Sequence, residues 1–82
     1  MELNETLRNE QNERTAQVRM RLCKALKRAR TGKEMSQMKL SEKSGVARSN
    51  IARIEGGNLN TGLDTIIKLC NALGCSLDVV PK

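Results

Sequence analysis

A glycine in the middle of the chain limits the possible folds more than any other single residue. Residues 37–54 read QMKLSEKSGVARSNIARI, and Gly45 interrupts this otherwise helix-forming run. Ser36 is a good N-cap for a helix that Gly45 ends after about two turns. A second helix of similar length is expected over residues 48–55, because two glycines follow it. The segment therefore predicts two short helices joined by a tight turn.

The side chains around this turn meet the packing demands of a helix-turn-helix. Ser41 is small where the two helices approach most closely, and Gly45 can adopt the positive φ angle that such a turn needs. Four apolar residues are expected to form the shared core of the two helices: Leu40, Val46, Ile51 and Ile54. A generic helical hairpin is the alternative interpretation of the same spacing.

The segments on either side predict further helices. An amphipathic helix is expected over residues 16–31, with one apolar stripe at helical spacing: Val18, Leu22, Ala25, Leu26 and Ala29. Gly32 is expected to end this helix. Another helix is expected over residues 64–73. Residues 76–80 alternate between polar and apolar and are rich in valine, which favours a short C-terminal strand.

The first fifteen residues are less informative. Leu3 and Leu7 lie four positions apart, and little else in residues 1–15 is apolar. The segment is either an N-terminal arm or an extra helix, and its sequence leaves both open. We therefore expect an all-α chain, a compact bundle of about five helices with a central helix-turn-helix and a possible C-terminal strand. Its domain is expected over residues 16–82.

Missing residue types exclude several classes of function. The chain has no His, Phe, Tyr or Trp, which removes histidine catalysis, histidine zinc sites and aromatic platforms for single-stranded bases. Three cysteines form no CxxC pair and are expected to be reduced, small core residues: Cys23, Cys70 and Cys75. We therefore expect a binding module without catalytic residues, metal or cofactor, and not an enzyme.

The charge is concentrated in one segment. The net charge is +6, and residues 14–33 hold eight basic residues and no acidic one, whereas residues 1–13 hold four Glu and one Arg. Such a basic block is typical of a surface that faces a polyanion, or of a solvated helix face. The polar N-terminus is unlike a secretory signal, and no stretch is apolar enough to cross a membrane. We therefore expect a cytoplasmic protein that does not bind membranes.

A longer pattern surrounds the two short helices. It consists, in order, of Arg30, Ser36-Gln37, Leu40-Ser41, Gly45-Val46, Ile51 to Gly57, Leu63-Asp64-Thr65-Ile66 and Ala72-Leu73-Gly74. In order and spacing this pattern resembles the Cro/repressor-type, or Xre-like, helix-turn-helix family. The chain departs from that family at three positions. It has Glu34 where the family usually has Gly, Ser41 where it usually has Ala, and Thr61 where it often has Pro. The resemblance implies a dimeric regulator, most often a repressor, that binds double-stranded DNA.

The resemblance also implies roles for individual residues. In such domains the second helix of the pair lies in the major groove, where four residues would read base edges: Arg48, Ser49, Asn50 and Arg53. Four residues are candidates for binding DNA phosphates: Arg30, Gln37, Asn58 and Asn60. In the family the residue at Gln37 either contacts a phosphate or supports the reading helix, and the two asparagines could equally be turn residues. Arg30 and Glu55 correspond to a partly buried salt bridge.

A narrower resemblance involves the end of the chain. The sequence LGCSLDVVP from Leu73 is similar to the ending of antitoxins of the host-inhibition-of-growth type. Such antitoxins neutralise a ribonuclease toxin and repress their own operon. An antitoxin with a toxin protein as partner is therefore the alternative to a plain transcriptional repressor.

Overall fold

Four helices make up the fold. The computed structural model describes residues 2–82, with side chains from residue 5 onward. In order along the chain, the helices are α1 (Glu2–Gly32), α2 (Gln37–Ser44), α3 (Arg48–Glu55) and α4 (Leu63–Ala72). Helix α2 packs against α3 and α4, and α1 packs against α3. The prediction of an all-helical fold is confirmed.

The expected number of about five helices is wrong. Residues 2–15 join the predicted amphipathic helix, so that α1 runs for 31 residues without a break. No Gly or Pro occurs before Gly32, and Glu, Arg, Leu and Gln are all good helix formers. The separation of residues 1–15 from a domain over 16–82 stays a prediction, and Leu3 lies outside the described side chains.

The expected C-terminal strand is also wrong. Residues 76–80 have no regular structure, and Val79 and Val80 are 92% and 78% exposed. Alternation makes a segment compatible with a strand, but a strand needs a neighbour for its backbone N–H and C=O groups. Within residues 2–82 no other segment is extended in a position to pair with it.

The core lies where the four helices meet. Its buried residues are Cys23, Leu26, Leu40, Val46, Ile51, Ile54, Ile66, Leu69, Cys70 and Leu73. The four residues predicted for the shared core of α2 and α3 are all among them. Helix α1 enters this core through Cys23 and Leu26, whereas Val18 and Ala25 of the predicted stripe are exposed. Cys75 is exposed as well, against the expectation that each cysteine is a core residue.

Local backbone geometry explains the ends of the short helices. The Ser36 side-chain oxygen accepts a hydrogen bond from the Lys39 amide at 3.0 Å, as expected of an N-cap. Gly45 ends α2 with φ of 76°, the left-handed conformation that glycine adopts without steric cost. Glu34, before α2, has φ of 54°, an unfavourable value for a residue with a side chain. Across the described part of the chain, no helix is both long and apolar enough to cross a membrane.

Candidate nucleic-acid interface

Helix α3 buries one face and exposes the other. Ile51 and Ile54 are each 1% exposed and attach the helix to the core. Arg48, Ser49 and Arg53 are exposed. This division follows from the helical period, which turns the side chains on either side of the isoleucines away from the core. The outward face is therefore polar and carries two positive charges without an acidic residue.

A small polar recess lies beside the outward face of α3. Its lining consists of Asn50 and Arg53 from α3 together with Asn58 and Asn60 from the loop that follows. The structure thus brings together two residues predicted to read bases and two predicted to bind phosphates. Between them these side chains offer amide N–H donors, amide oxygen acceptors and a guanidinium group, which suits a ligand with mixed polar edges and negative charge.

The turn after α3 explains why the loop returns to this helix. The Asn58 amide donates to the Arg53 carbonyl at 2.9 Å, and the Gly57 amide donates to the Ile54 carbonyl at 3.0 Å. This pair of hydrogen bonds is the Schellman motif, which needs a residue with positive φ at Gly57. Gly57 has φ of 104°, and a Cβ atom there would lie 3.3 Å from the Met20 Cε atom. The positive φ angle therefore favours glycine at this position, and an added Cβ atom would also displace the end of the flexible Met20 side chain slightly.

An ion pair fixes α3 to the preceding helices. Arg30 donates from Nε to Glu55 Oε2 at 2.6 Å and from Nη2 to Glu55 Oε1 at 2.8 Å. A third donor, Arg30 Nη1, reaches the Met35 carbonyl at 2.6 Å. Gln37 Nε2 donates to Glu55 Oε1 at 3.1 Å. The side chains of Arg30 and Glu55 are only 11% and 5% exposed, so the salt bridge expected from the family resemblance is present and nearly buried.

The ionisation of Glu55 reflects this arrangement. Burial acts to raise the pKa of its carboxyl group. The hydrogen bonds from Arg30 and Gln37 and the positive charges of Arg30 and Lys27 together outweigh burial and hold the pKa below its ordinary value. The hydrogen bond to Glu55 likewise raises the pKa of Arg30. Because the described donors of Arg30 and Gln37 are directed at Glu55 and Met35, both residues support α3 here. Their contact with phosphate stays a prediction.

Sequence reasoning missed three hydrogen bonds that shape the interface. Ser41 Oγ donates to the Val46 carbonyl at 2.6 Å, and Ser44 Oγ accepts from the Val46 amide at 3.1 Å, so that two hydroxyls fix the turn between α2 and α3. Arg19 Nη2 donates to the Leu59 carbonyl at 2.6 Å and so holds the loop that carries Asn58 and Asn60. The one sign of the Ser41 hydrogen bond in the sequence is that the family that the chain resembles usually has alanine at this position.

Comparison with known proteins agrees with this geometry. A family model described as helix-turn-helix matches residues 26–80, which is more than half of the chain. The chain belongs to the helix-turn-helix family. The resemblance drawn from the sequence is thereby confirmed at the level of the family, and α2 and α3 are its two helices.

Three curated relatives are similar to this helix-turn-helix protein. An uncharacterized HTH-type transcriptional regulator of Haemophilus influenzae is 39% identical over 80 residues, which are 98% of this chain and 82% of the relative. The HTH-type transcriptional regulator y4dL of Sinorhizobium fredii is 34% identical over 61 residues, 74% of this chain and 31% of the relative. The SPbeta prophage-derived regulator YonR of Bacillus subtilis is 37% identical over 57 residues, 70% of this chain and 53% of the relative.

The relatives differ in length. The helix-turn-helix chain spans most of the Haemophilus protein but less than two thirds of the other two. No solved structure gives a significant match. The names of the relatives describe transcriptional regulators, and the narrower resemblance to antitoxins with a toxin partner stays a prediction.

Proposed function

We propose that this protein is a sequence-specific transcriptional regulator that binds double-stranded DNA as a dimer and reads the major groove with α3. The observation that carries the proposal is the outward polar face of α3, next to a polar recess, on a helix whose opposite face is buried. An α-helix fits the major groove, where each base pair presents a distinct pattern of donors and acceptors. The relatives named as HTH-type transcriptional regulators support the same function.

Recognition of bases is assigned to the first turns of α3. Arg48 and Ser49 are exposed in its first turn, and Asn50 lines the recess. An asparagine amide can donate to N7 of adenine and accept from its N6 amino group in a bidentate pair, and an arginine can donate to both N7 and O6 of guanine. Arg53 follows one turn later on the same face. We assign direct reading to these four residues, with Asn50 and Arg48 as the main determinants.

Phosphate binding is assigned to the loop after α3. Asn58 and Asn60 line the same recess as Asn50 and Arg53, so their amide groups can contact the DNA backbone beside the base that Asn50 reads. The net charge of +6 adds a sequence-independent attraction to DNA. Arg30 and Gln37 contribute in a different way, since their hydrogen bonds to Glu55 hold α3 at a fixed angle to the rest of the protein.

Dimerisation follows from the size of the reading surface. One short helix contacts only a few base pairs, and dimers of this kind double that number by binding two half-sites about 34–36 Å apart. We propose repression as the mode of action. A dimer bound tightly to a site that overlaps a promoter would exclude the transcription machinery from that promoter.

Selection of bound sequences from random duplex DNA is the first test. The selected operator should be two-fold symmetric, and Arg48→Ala or Asn50→Ala should weaken its binding by about 1–3 kcal/mol per half-site. Each variant should also relax the preference at one base position. Lys68→Ala and Asn71→Ala are matched controls, because both residues are exposed on α4.

The comparison of specific with non-specific DNA decides the outcome. Affinity for the operator and for a scrambled duplex is measured for every variant at two salt concentrations. If Arg48→Ala and Asn50→Ala leave the ratio of the two affinities at the level of the controls, α3 is not the reading helix. The proposed mechanism then fails, even where binding to DNA survives.

A further inference from the structure

The N-terminal half of α1 extends beyond the packed core. Every described side chain from Glu5 to Arg21 is exposed, and the buried positions of this helix begin at Cys23. Helix α1 has 31 residues and, at about 1.5 Å per residue, is about 46 Å long. Most of the stability of a helix in a protein comes from packing of an apolar face and not from helix propensity. A second packing surface would supply that stabilisation.

An apolar stripe runs along this exposed part of α1. Leu7, Val18, Leu22 and Ala25 fall within a stripe of about 60° when successive residues turn by about 100°. The centre of the stripe lies about a third of a turn away from Cys23, which faces the core. Leu7 and Val18 are each 52% exposed, and Val18, Leu22 and Ala25 together line a shallow apolar groove. Leu22 is half-buried at the edge of the core, so the structure leaves the stripe uncovered at Leu7, Val18 and Ala25.

The distribution of charge along α1 identifies what covers this stripe. The first thirteen residues hold four Glu and one Arg, and residues 14–33 hold eight basic residues and no acidic one. A second copy of α1 in the parallel direction would place one basic block against another. A second copy in the antiparallel direction places each acidic half against the partner's basic half, which is electrostatically complementary.

We propose that α1 is the dimer interface, and that it pairs antiparallel with α1 of a second copy of this chain around a two-fold axis near residues 14 and 15. In this register Leu7 packs against the partner's Leu22, and Gln11 lies beside the partner's Val18. Antiparallel helix pairs bring the same flank of both helices together. Glu10 therefore meets the partner's Arg21, because both residues lie on the same flank of the stripe.

The register has a consequence for DNA that rests on the proposed function. The core attaches to α1 near residue 26, about twelve residues from the two-fold axis. With about 1.5 Å per residue, the two cores lie about 35 Å apart along the paired helices. Half-sites on adjacent turns of DNA are separated by about 34–36 Å. The register that pairs Leu7 with the partner's Leu22 is therefore compatible with the spacing of half-sites.

Charge reversal tests the interface in the absence of DNA. Sedimentation equilibrium of the full chain should show a dimer in the micromolar range. Glu10→Arg and Arg21→Glu should each raise the dimer dissociation constant about tenfold or more, because each places like charges opposite one another twice. The double variant, with both charges exchanged, should restore the wild-type dissociation constant. Glu5→Arg is the matched control, since Glu5 lies on α1 but away from the stripe.

The outcomes separate this inference from the proposed function. A wild-type chain that is monomeric across the micromolar range overturns the interface. The interface is also overturned if Glu10→Arg and Arg21→Glu have the same dimer dissociation constant as the control Glu5→Arg. A double variant that stays weak overturns the antiparallel register. Circular dichroism checks that each variant is folded. Binding of DNA by a variant that no longer dimerises would uphold α3 as the reading helix, whereas loss of base preference in a dimeric protein would count against the function alone.

Discussion

Replacing Glu55 by alanine should destabilise the protein far more than replacing an ordinary surface glutamate. The carboxylate of Glu55 accepts two hydrogen bonds from Arg30 and one from Gln37, and its side chain is 5% exposed. Removal leaves the Arg30 guanidinium, itself 11% exposed, with the Met35 carbonyl as its remaining described partner. A nearly buried charge that loses its counter-ion is one of the few causes of large single-residue effects.

The expected cost is about 2–4 kcal/mol. Loss of a buried ion-pair partner costs about 3–5 kcal/mol, and the lower part of our range reflects the hydrogen bond that Arg30 keeps with Met35. For a chain of this size each kcal/mol lowers the melting temperature by about 4–8 °C. Thermal unfolding followed by circular dichroism should therefore show a fall of roughly 8–32 °C for Glu55→Ala. Glu42→Ala should change little, because Glu42 is exposed and lies 3.9 Å from Lys39.

The same ion pair predicts how stability depends on pH. Hydrogen bonds hold the pKa of Glu55 below its ordinary value of 4.5 in the folded protein. The stabilisation is therefore complete above the pKa of the unfolded chain and is lost as the pH falls through the lower pKa of the folded state. Wild-type protein should lose stability in acid more steeply than Glu55→Ala does. Equal melting temperatures for Glu55→Ala and Glu42→Ala at neutral pH would refute the reasoning, since the ion pair would then contribute nothing.

Three further predictions concern the backbone and the salt dependence of binding. Glu34→Gly should stabilise the protein by about 0.5–1 kcal/mol, as measured by thermal unfolding. The free energy gained by removing the strain of the positive φ angle exceeds the cost of the larger entropy that glycine gives the unfolded chain. A lower melting temperature would contradict this. Gly57→Ala should cost about 1–2 kcal/mol, whereas Gly32→Ala, with open space around it, should cost nothing; equal effects would show that the turn tolerates a side chain. DNA affinity should fall with salt with a log–log slope of about −5, for roughly three ionic contacts per subunit of a dimer, and a slope near zero would remove the electrostatic contribution.

The part of the fold that the sequence predicts best is the pair α2 and α3. Their bounds follow from signals that act over a few residues: the Ser36 cap, the left-handed glycine at position 45, and the glycines after residue 55. The family pattern then supplied the long-range pair of Arg30 and Glu55, which no local rule could have found. The turn hydroxyl of Ser41 became visible only in the structure, since a serine at a small-residue position gives no direction for its Oγ atom.

The predictions that failed depend on what surrounds a segment. Residues 2–15 have good helix formers but few apolar side chains, and nothing in that pattern distinguishes a continued helix from a separate one. Residues 76–80 alternate as a strand would, yet pairing depends on a neighbour that this chain does not supply within residues 2–82. The stripe predicted for α1 reaches the core only in part. Leu26 is buried, and Leu22 and Ala29 pack against the core, whereas Val18 and Ala25 are exposed.

The hydrogen bond from Arg19 to the Leu59 carbonyl links the long helix to the loop beside α3. Coupling between two binding events is reciprocal. If a ligand binds the loop only when Arg19 holds it, the attachment of α1 increases the affinity for the ligand, and the ligand stabilises the attachment of α1 by the same free energy. If α1 pairs with a second copy only when it is held in this position, a protein whose loop is occupied would also dimerise more tightly. Its DNA site would then fill over a narrower range of protein concentration than independent subunits allow.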